Sequence, residues 1–497
     1  MAFSERVALR TRQGLAALWL VIILSLFHDP FTPALTVPDS PLPLFATRTG
    51  ACVTVQHHCV SEGVHALGTT LYWGVLLPLL IAVIFLFGHE FWRRVCPLSF
   101  FSQFARSLGM VRRRRPWQST GSVSAARPTK VRPDSFLARH HLQLQFGLFY
   151  LALCARILFV NSSRLALAVF LLSFIAGAVL VGFLYDGKTW CQYFCPVAPA
   201  EEFFTGPRGL FASQAHQPRD PSLRISQSMC RTLASDIAPE KSACVACKAN
   251  CIDIDAEKTY WASLMEPRRQ QLTYGYAGLV IGYFFYYYLY SGNWHYYLSG
   301  IWTYEPHALS RAFAPGLYLG GVALGLPKLL AVPLVLGGVA LLVYKGGQTV
   351  EVLLCRWLQR RGTPLEPEVL RHRCFTLTTF LIFNLFFVFA GYNVRQHLPQ
   401  PLPTYLPVAL GVLSAFWLQR TWHRSAATYT QEVKSQKGSR RPGAAFDLVV
   451  ERTAAGFSVA TDKGSADASS PVGNLDELMH TLRTSIETHL SPRRPEP

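Results

Sequence analysis

Residues 164–196 read RLALAVFLLSFIAGAVLVGFLYDGKTWCQYFCP. After Arg164 no charged residue occurs before Asp186, and roughly 20 apolar residues are what a helix needs to cross a bilayer core. The stretch therefore predicts a membrane span, with Cys191, Cys195 and Pro196 just beyond its end. Working outward, apolar runs of similar kind cover residues 13–28, 66–88, 142–160, 164–185, 273–290, 316–344, 373–392 and 404–421. Half of all residues are hydrophobic and only 15% are charged. The expected fold is an all-α polytopic membrane protein of about eight transmembrane helices. The first run lacks a small-residue cleavage site after Phe27-His28-Asp29-Pro30 and reads as a retained anchor.

Orientation follows from the excess of Lys and Arg that cytoplasmic loops carry. With the N-terminus inside, segments 1–12, 89–141, 186–272, 345–373 and 419–497 hold 41 of the 47 basic residues, and the outer loops hold only Arg48, Arg311 and Arg395. This predicts a multi-pass protein of the inner (cytoplasmic) membrane with both termini cytoplasmic. Residues 316–344 are long enough to split at Pro327-Lys328, but two crossings would export the basic segment 345–373, so one broken or tilted span is expected. The formal charge of +18 is then topogenic and implies no nucleic-acid partner. Membrane lipid is the expected surrounding, and the arginine run 112–115 also suits anionic headgroups or an acidic partner.

The chain divides into spans one to four with a first Cys-Pro motif (1–185), a cytoplasmic cysteine-rich loop (186–272), spans five to eight (273–422), a flexible linker (423–443) and a small cytoplasmic module (444–497). Residues 110–135 mix Arg, Pro and Ser without apolar periodicity and read as a flexible loop. In the module Phe446, Leu448 and Val450 alternate, and Phe457-Ser-Val459 suggests a second strand. Asn474 and Glu477 then cap a helix with Leu475, Leu478, Met479, Leu482 and Ile486 on one face. This is a β-β-α segment without chemistry of its own.

Seven of the 12 cysteines fall in segments 89–141 and 186–272, assigned to the cytoplasm, where thiols stay reduced and dense cysteines usually mean metal or catalysis. Cys191 and Cys195, four apart, project to one side of a helical turn, and Pro196 redirects the backbone. Cys244-Val-Ala-Cys247 lets two sulfurs converge, Cys251 either joins them or reaches a neighbouring centre, and Cys230 is the natural fourth ligand. Cys96-Pro97 stands one loop earlier. A C-x2-C-x3-C run beside a separate C-x3-C-P points to cubane iron-sulfur ligation, in which the last cysteine of a run serves the other cluster of a pair. Cys230, Cys244, Cys247 and Cys251 also suit a structural tetrahedral zinc. For Cys191 and Cys195 the plain alternative is two inert thiols at a span end.

These motifs resemble those of the multi-span membrane polyferredoxins of the NapH, NosR and CcoG type, in which each of two membrane hairpins ends in a cytoplasmic C-x3-C-P. Trp190-Cys191-Gln-Tyr-Phe-Cys195-Pro196 looks like an intact copy. Gly88-His-Glu-Phe-Trp92-Arg-Arg-Val-Cys96-Pro97 looks like the other, with Trp92 where its first cysteine would stand. The ferredoxin-like run ends at Cys251-Ile252, where the family would have a fourth cysteine and a proline. The resemblance, over residues 66–260, implies one or two [4Fe-4S] clusters held by Cys96, Cys191, Cys195, Cys230, Cys244, Cys247 and Cys251. Two cubanes want about eight ligands and the chain offers seven. His89, Glu90 or His216, or an open iron, would complete the pair; one complete cluster with a three-ligand or vestigial site is the alternative.

Cys154, Cys355 and Cys374 read as small buried hydrophobes. Cys52 and Cys59, on the outer face, are expected to form a disulfide, with a metal site using His57 and His58 as the alternative. The aromatic residues of 283–290 and 294–297, with Trp302, read as an interfacial belt. A quinol headgroup pocket at His295, Glu305 or His307 is the sharper reading and makes quinone a further cofactor candidate. No span carries an interior histidine pair, so no haem is expected.

Clusters confined to one face do not pass electrons unaided across a hydrocarbon core of about 30 Å. The expected role is a membrane-bound iron-sulfur electron carrier between a cytoplasmic donor or acceptor and the quinone pool or a partner redox subunit. No catalytic triad, phosphate-binding loop or flavin motif marks a self-contained enzyme. The other readings are a redox-sensing or metallo-enzyme assembly factor, and a non-redox zinc-binding scaffold or transporter. The transporter reading is disfavoured by the scarcity of charge within spans, where only Arg156, Arg164 and Lys328 stand.

Overall fold

A computed structural model describes residues 5–38, 45–46, 52–114, 127–211, 251–252, 255–305, 310–438, 448–453 and 456–461. The chain forms two compact units, 1–429 and 430–497. Among the described residues, eight long helices frame the first: α1 (Glu5–Phe27), α2 (Leu77–Val95), α3 (Phe136–Ala155), α4 (Arg164–Leu184), α5 (Pro267–Ser291), α6 (Lys328–Arg360), α7 (Pro367–Phe389) and α8 (Leu402–Trp422). All but α5, seven in number, are long and apolar enough to cross a membrane, and the chain is accordingly a multi-pass membrane protein. Leu18, Val21 and Leu24 on α1, Leu165 and Val169 on α4, and Leu406, Val408 and Val412 on α8 all face outward. Such apolar faces suit hydrocarbon, which offers no hydrogen bonds to a polar side chain.

The fifth expected span falls short in apolar content for a physical reason. In α5, 18 of 25 residues are buried, and the helix packs against α3, α6 and α7 at the centre of the bundle. Its tyrosines find partners there: Tyr274 donates to Glu351 at 2.7 Å, Tyr286 to the Gly316 carbonyl at 3.0 Å, and Tyr283 pairs with Tyr287 at 3.0 Å. This corrects the interfacial belt expected at 283–290, because Tyr283, Tyr286, Tyr287 and Tyr290 belong to the core, and of that run only Phe285 and Tyr288 are exposed. Buried aromatic rings carry large contact areas, and their hydroxyls need such partners.

Close approach of α5 to α6 depends on Gly278, where a Cβ would lie 2.6 Å from the Ala340 Cα. Gly278→Ala should lower stability in detergent by about 1–3 kcal/mol, the range for an overpacked core. Denaturant unfolding that matches the wild type would show that the two helices separate without cost.

The apolar stretch 316–344 resolves into a hairpin, Pro315–Leu319 with Val322–Pro327, followed by the 33-residue α6. Gly320 and Gly321, both at positive φ, form its turn. One helix follows, not two. A second hairpin, Cys52–Val55 with His58–Ser61, is closed by the expected Cys52–Cys59 disulfide. Its turn donates the Gln56 N–H to the Ser291 carbonyl at 3.3 Å, which docks it at the end of α5. Helices therefore dominate, but four two-stranded ladders among the described residues amend the all-α expectation.

The loop expected as flexible at 110–135 is anchored at both described ends. Arg113–Arg114 pairs with Arg127–Pro128, Arg112 donates its N–H to the Phe183 carbonyl at 2.9 Å, and Asp186 donates to Thr129 at 2.8 Å. Cys154 is buried as expected, whereas Cys355 and Cys374 are only partly so. Much of the expected linker is a helix, Ala426–Gly438. In the second unit Leu448–Thr453 pairs antiparallel with Gly456–Thr461, where the alternation predicts strands. The helix expected at 474–486 lies outside the described residues.

Candidate functional site

Two Cys-Pro turns are built alike. Cys96 has φ −57° and ψ 124°, and Cys195 has φ −58° and ψ 117°, the extended backbone that a following proline imposes. Each turn closes the helix before it, Cys96 N–H donating to the Trp92 carbonyl at 2.8 Å and Cys195 N–H to the Trp190 carbonyl at 2.8 Å. Each then opens a short helix, Pro97–Phe101 or Ala198–Thr205, with the cysteine carbonyl accepting from Ser99 at 3.1 Å or Ala198 at 3.2 Å. The copies differ at the first ligand position. Cys191 lies in the π-helical turn Trp190–Phe194, while Trp92 stands in its place and donates its indole N–H to Glu201 at 3.1 Å.

The first turn is aimed by a break in α2 at Gly88, whose φ of 80° and ψ of 171° are open to glycine at little cost. Such a break leaves helical carbonyls without their usual donors. The carbonyls of Phe85 and Leu86 accept instead from Leu210 at 3.0 Å and Phe211 at 2.6 Å. The helix beyond the break presents His89, Trp92 and Arg93 to Glu201.

Arg93 ties the two turns together, donating from Nε to Glu201 at 2.8 Å and from Nη2 to the Cys191 carbonyl at 2.9 Å. Gln145 on α3 reaches the same carbonyl at 3.4 Å. His89 Nδ1 stands 3.2 Å from Glu201, so this candidate eighth ligand faces the carboxylate. Burial alone would raise the Glu201 pKa, but the Arg93 charge and the neighbouring His89 outweigh it and hold the carboxyl at about 2. Lys188, wholly buried, places Nζ 3.4 Å from the Arg93 carbonyl.

Cys96, Cys191 and Cys195 are all buried and lie within electrostatic reach of one another. Burial first, then Glu201 and Cys191, push the Cys96 thiol up to about 12, and the same three influences raise Cys195 well above an ordinary thiol. Cys251 joins their edge, its Sγ accepting from Gln192 Nε2 at 3.4 Å. Cys96, Cys191 and Cys195 thus lie near one another, and Cys251 contacts Gln192, the residue after Cys191. Cys230, Cys244, Cys247 and His216 lie outside the described residues, as does the Glu90 side chain. Among the described residues, no three His, Cys, Asp or Glu side chains stand at metal-holding spacing. The donor chemistry nevertheless fits a thiolate-bound metal, because a metal displaces thiol protons on binding and buried Arg93 and Lys188 would offset the thiolate charge. Sequence reasoning missed Glu201, Arg93, Lys188 and Gln192. Their one local signal is charge and amide crowded around two Cys-Pro turns at the ends of apolar spans.

At the opposite end of the bundle a narrow cavity is bounded by Tyr286, Tyr287, Tyr290, Tyr296, Glu305 and Lys328. It has room for about one water or small ion and is too small for the quinol headgroup expected beside Glu305. His295 is exposed and takes no part, and His307 lies outside the described residues. No protein-family model, curated protein or solved structure matches the chain, so the cysteine site rests on its own geometry.

Proposed function

We propose that the chain is a membrane-bound iron-sulfur electron-transfer protein, akin to the membrane polyferredoxins its motifs resemble. One observation supports the reading: Cys96, Cys191 and Cys195, on two like Cys-Pro turns, are buried within electrostatic reach of one another, and Cys251 contacts Gln192 beside them. These four cysteines would hold a [4Fe-4S] cluster, and Cys230, Cys244 and Cys247 would serve a second. The shortfall of one ligand then falls on the second centre. A bound cluster supplies one-electron transfer at a potential set by sulfur hydrogen bonds and burial.

The chain's own residues shape that chemistry. Gln192 donates to the Cys251 sulfur, which favours the reduced, more negative cluster. Phe101, Ala178, Val181 and Trp190 pack around Cys191 and Cys195 and keep water out. The charge count assigns the segments that carry all seven cysteines to the cytoplasm. Electrons therefore enter or leave through a cytoplasmic partner and pass to the quinone pool or a partner subunit at the same face.

Anaerobically purified protein should contain about eight irons with matching labile sulfide for two clusters, or about four for one, and dithionite should elicit the EPR signal of reduced cubanes. Stoichiometric zinc with no iron and no EPR signal would overturn the proposal.

A further inference from the structure

A second cluster of buried charge lies at the other end of the bundle, far in sequence from the cysteines. Lys328, the first residue of α6, is only 6% exposed and lines the narrow cavity. Its ammonium sits 4.3 Å from the centre of the Tyr290 ring, and among the described residues it meets no carboxylate. Among the described residues Glu305 is the one carboxylate on the cavity wall. It is already engaged by the Tyr296 hydroxyl at 2.6 Å and by Arg311.

Arg156, 8% exposed, adds a further cation next to the cavity. Its guanidinium stacks 3.8 Å over Trp73 and 4.6 Å over Tyr283, and its Nε donates to the wall residue Asn161 at 3.1 Å. Of these three cations only Arg311 is paired with a carboxylate among the described residues, Glu305; Lys328 and Arg156 rest on aromatic rings. Lys328 and Arg156 are thus two buried positive charges without a carboxylate partner among the described residues, and unpaired buried charge is expensive. A water molecule would solvate the ammonium but leave the charge standing.

Local geometry adds to the attraction. Lys328 opens a 33-residue helix without a side-chain N-cap, its own N–H donating to the Ala314 carbonyl at 2.9 Å, so the positive end of the helix dipole lies beside its ammonium. The Tyr286 and Tyr287 hydroxyls are committed elsewhere, to the Gly316 carbonyl at 3.0 Å and to Asn161 and Tyr283 at 2.5 Å and 3.0 Å. Among the described residues the Lys328 charge is therefore met by no carboxylate.

We propose that this cavity is a binding site for one small monovalent anion of halide size, held by the Lys328 ammonium at the start of α6. The site is distinct from the cysteine centre and does not depend on what that centre binds. Chloride there would offset the Lys328 charge and tie the Pro315–Pro327 hairpin, the end of α5 and the start of α6 together.

The test uses full-length protein in detergent, with chloride or bromide titrated against gluconate at constant ionic strength. The unfolding temperature should rise saturably with either halide and not with gluconate. Lys328→Met, which keeps the side-chain length without the charge, should abolish that rise. Crystals grown in bromide should show an anomalous peak beside Lys328, an independent readout should the variant fail to fold. A halide-independent unfolding temperature, an equal response in Lys328→Met, or bromide absent from the cavity would each overturn the proposal.

Discussion

Cys191→Ser should remove about four irons per chain together with one of the cubane EPR signals, and Cys251→Ser should remove the same signal. Serine is a far poorer iron ligand than thiolate, and Cys191 stands at the centre of the gathered cysteines, on the turn whose carbonyl is held by Arg93 at 2.9 Å. Cys247→Ser should instead affect the other signal. The pairing of effects matters more than any single loss. The spacing of residues 244–251 leaves Cys251 open to the centre of Cys247 or a neighbouring one, and the contact from Gln192 at 3.4 Å sets it beside the turn of Cys191. If Cys251→Ser and Cys247→Ser remove one signal and Cys191→Ser another, the assignment of Cys251 is wrong and the three-ligand centre returns to Cys96, Cys191 and Cys195.

How much of the fold could be read in advance depended on where each helix faces. Helices against lipid must be apolar along their outer faces, so α1, α4 and α8 declare themselves by composition. The central α5 need not be, and a buried tyrosine looks the same in sequence as an interfacial one. Its hydroxyl partners, Glu351 for Tyr274 and Asn161 for Tyr287, are distant in the chain. The hairpin at 315–327 was hidden for a different reason. Val322 and Leu324 continue the apolar composition of α6, and only Gly320-Gly321 marks the turn.

The site divides along the same line. The two Cys-Pro turns were legible because proline acts on its neighbour's backbone, and the nearly equal φ and ψ of Cys96 and Cys195 show that local rule at work. What converges on those turns was not legible. Arg93 and Glu201 meet across 108 positions, Gln145 comes from α3, and no pattern in any one segment announces the meeting. Trp92, read in sequence only as a lost cysteine, has a partner of its own in Glu201.

Glu201→Gln should be among the most damaging single changes outside the cysteines. Glu201 and Arg93 are each only 2% exposed, and removing one partner of a buried pair leaves the other charge without its counterion, at about 3–5 kcal/mol. Arg93→Met added to Glu201→Gln should recover much of the loss, because an apolar replacement of both partners removes the stranded charge. The pH dependence gives a second check. The carboxyl is held at about 2 against an ordinary value of 4.5, so its folded pKa is depressed. Its contribution is then complete above pH 4.5 and is lost as pH falls toward 2. The stability gap between wild type and Glu201→Gln, measured by denaturant unfolding in mixed micelles, should hold constant from neutral pH down to about 5 and close below 4.5. No gap at neutral pH, or one unchanged at pH values approaching 2, would mean that Glu201 does not carry the charge that anchors Arg93 between the two cysteine turns.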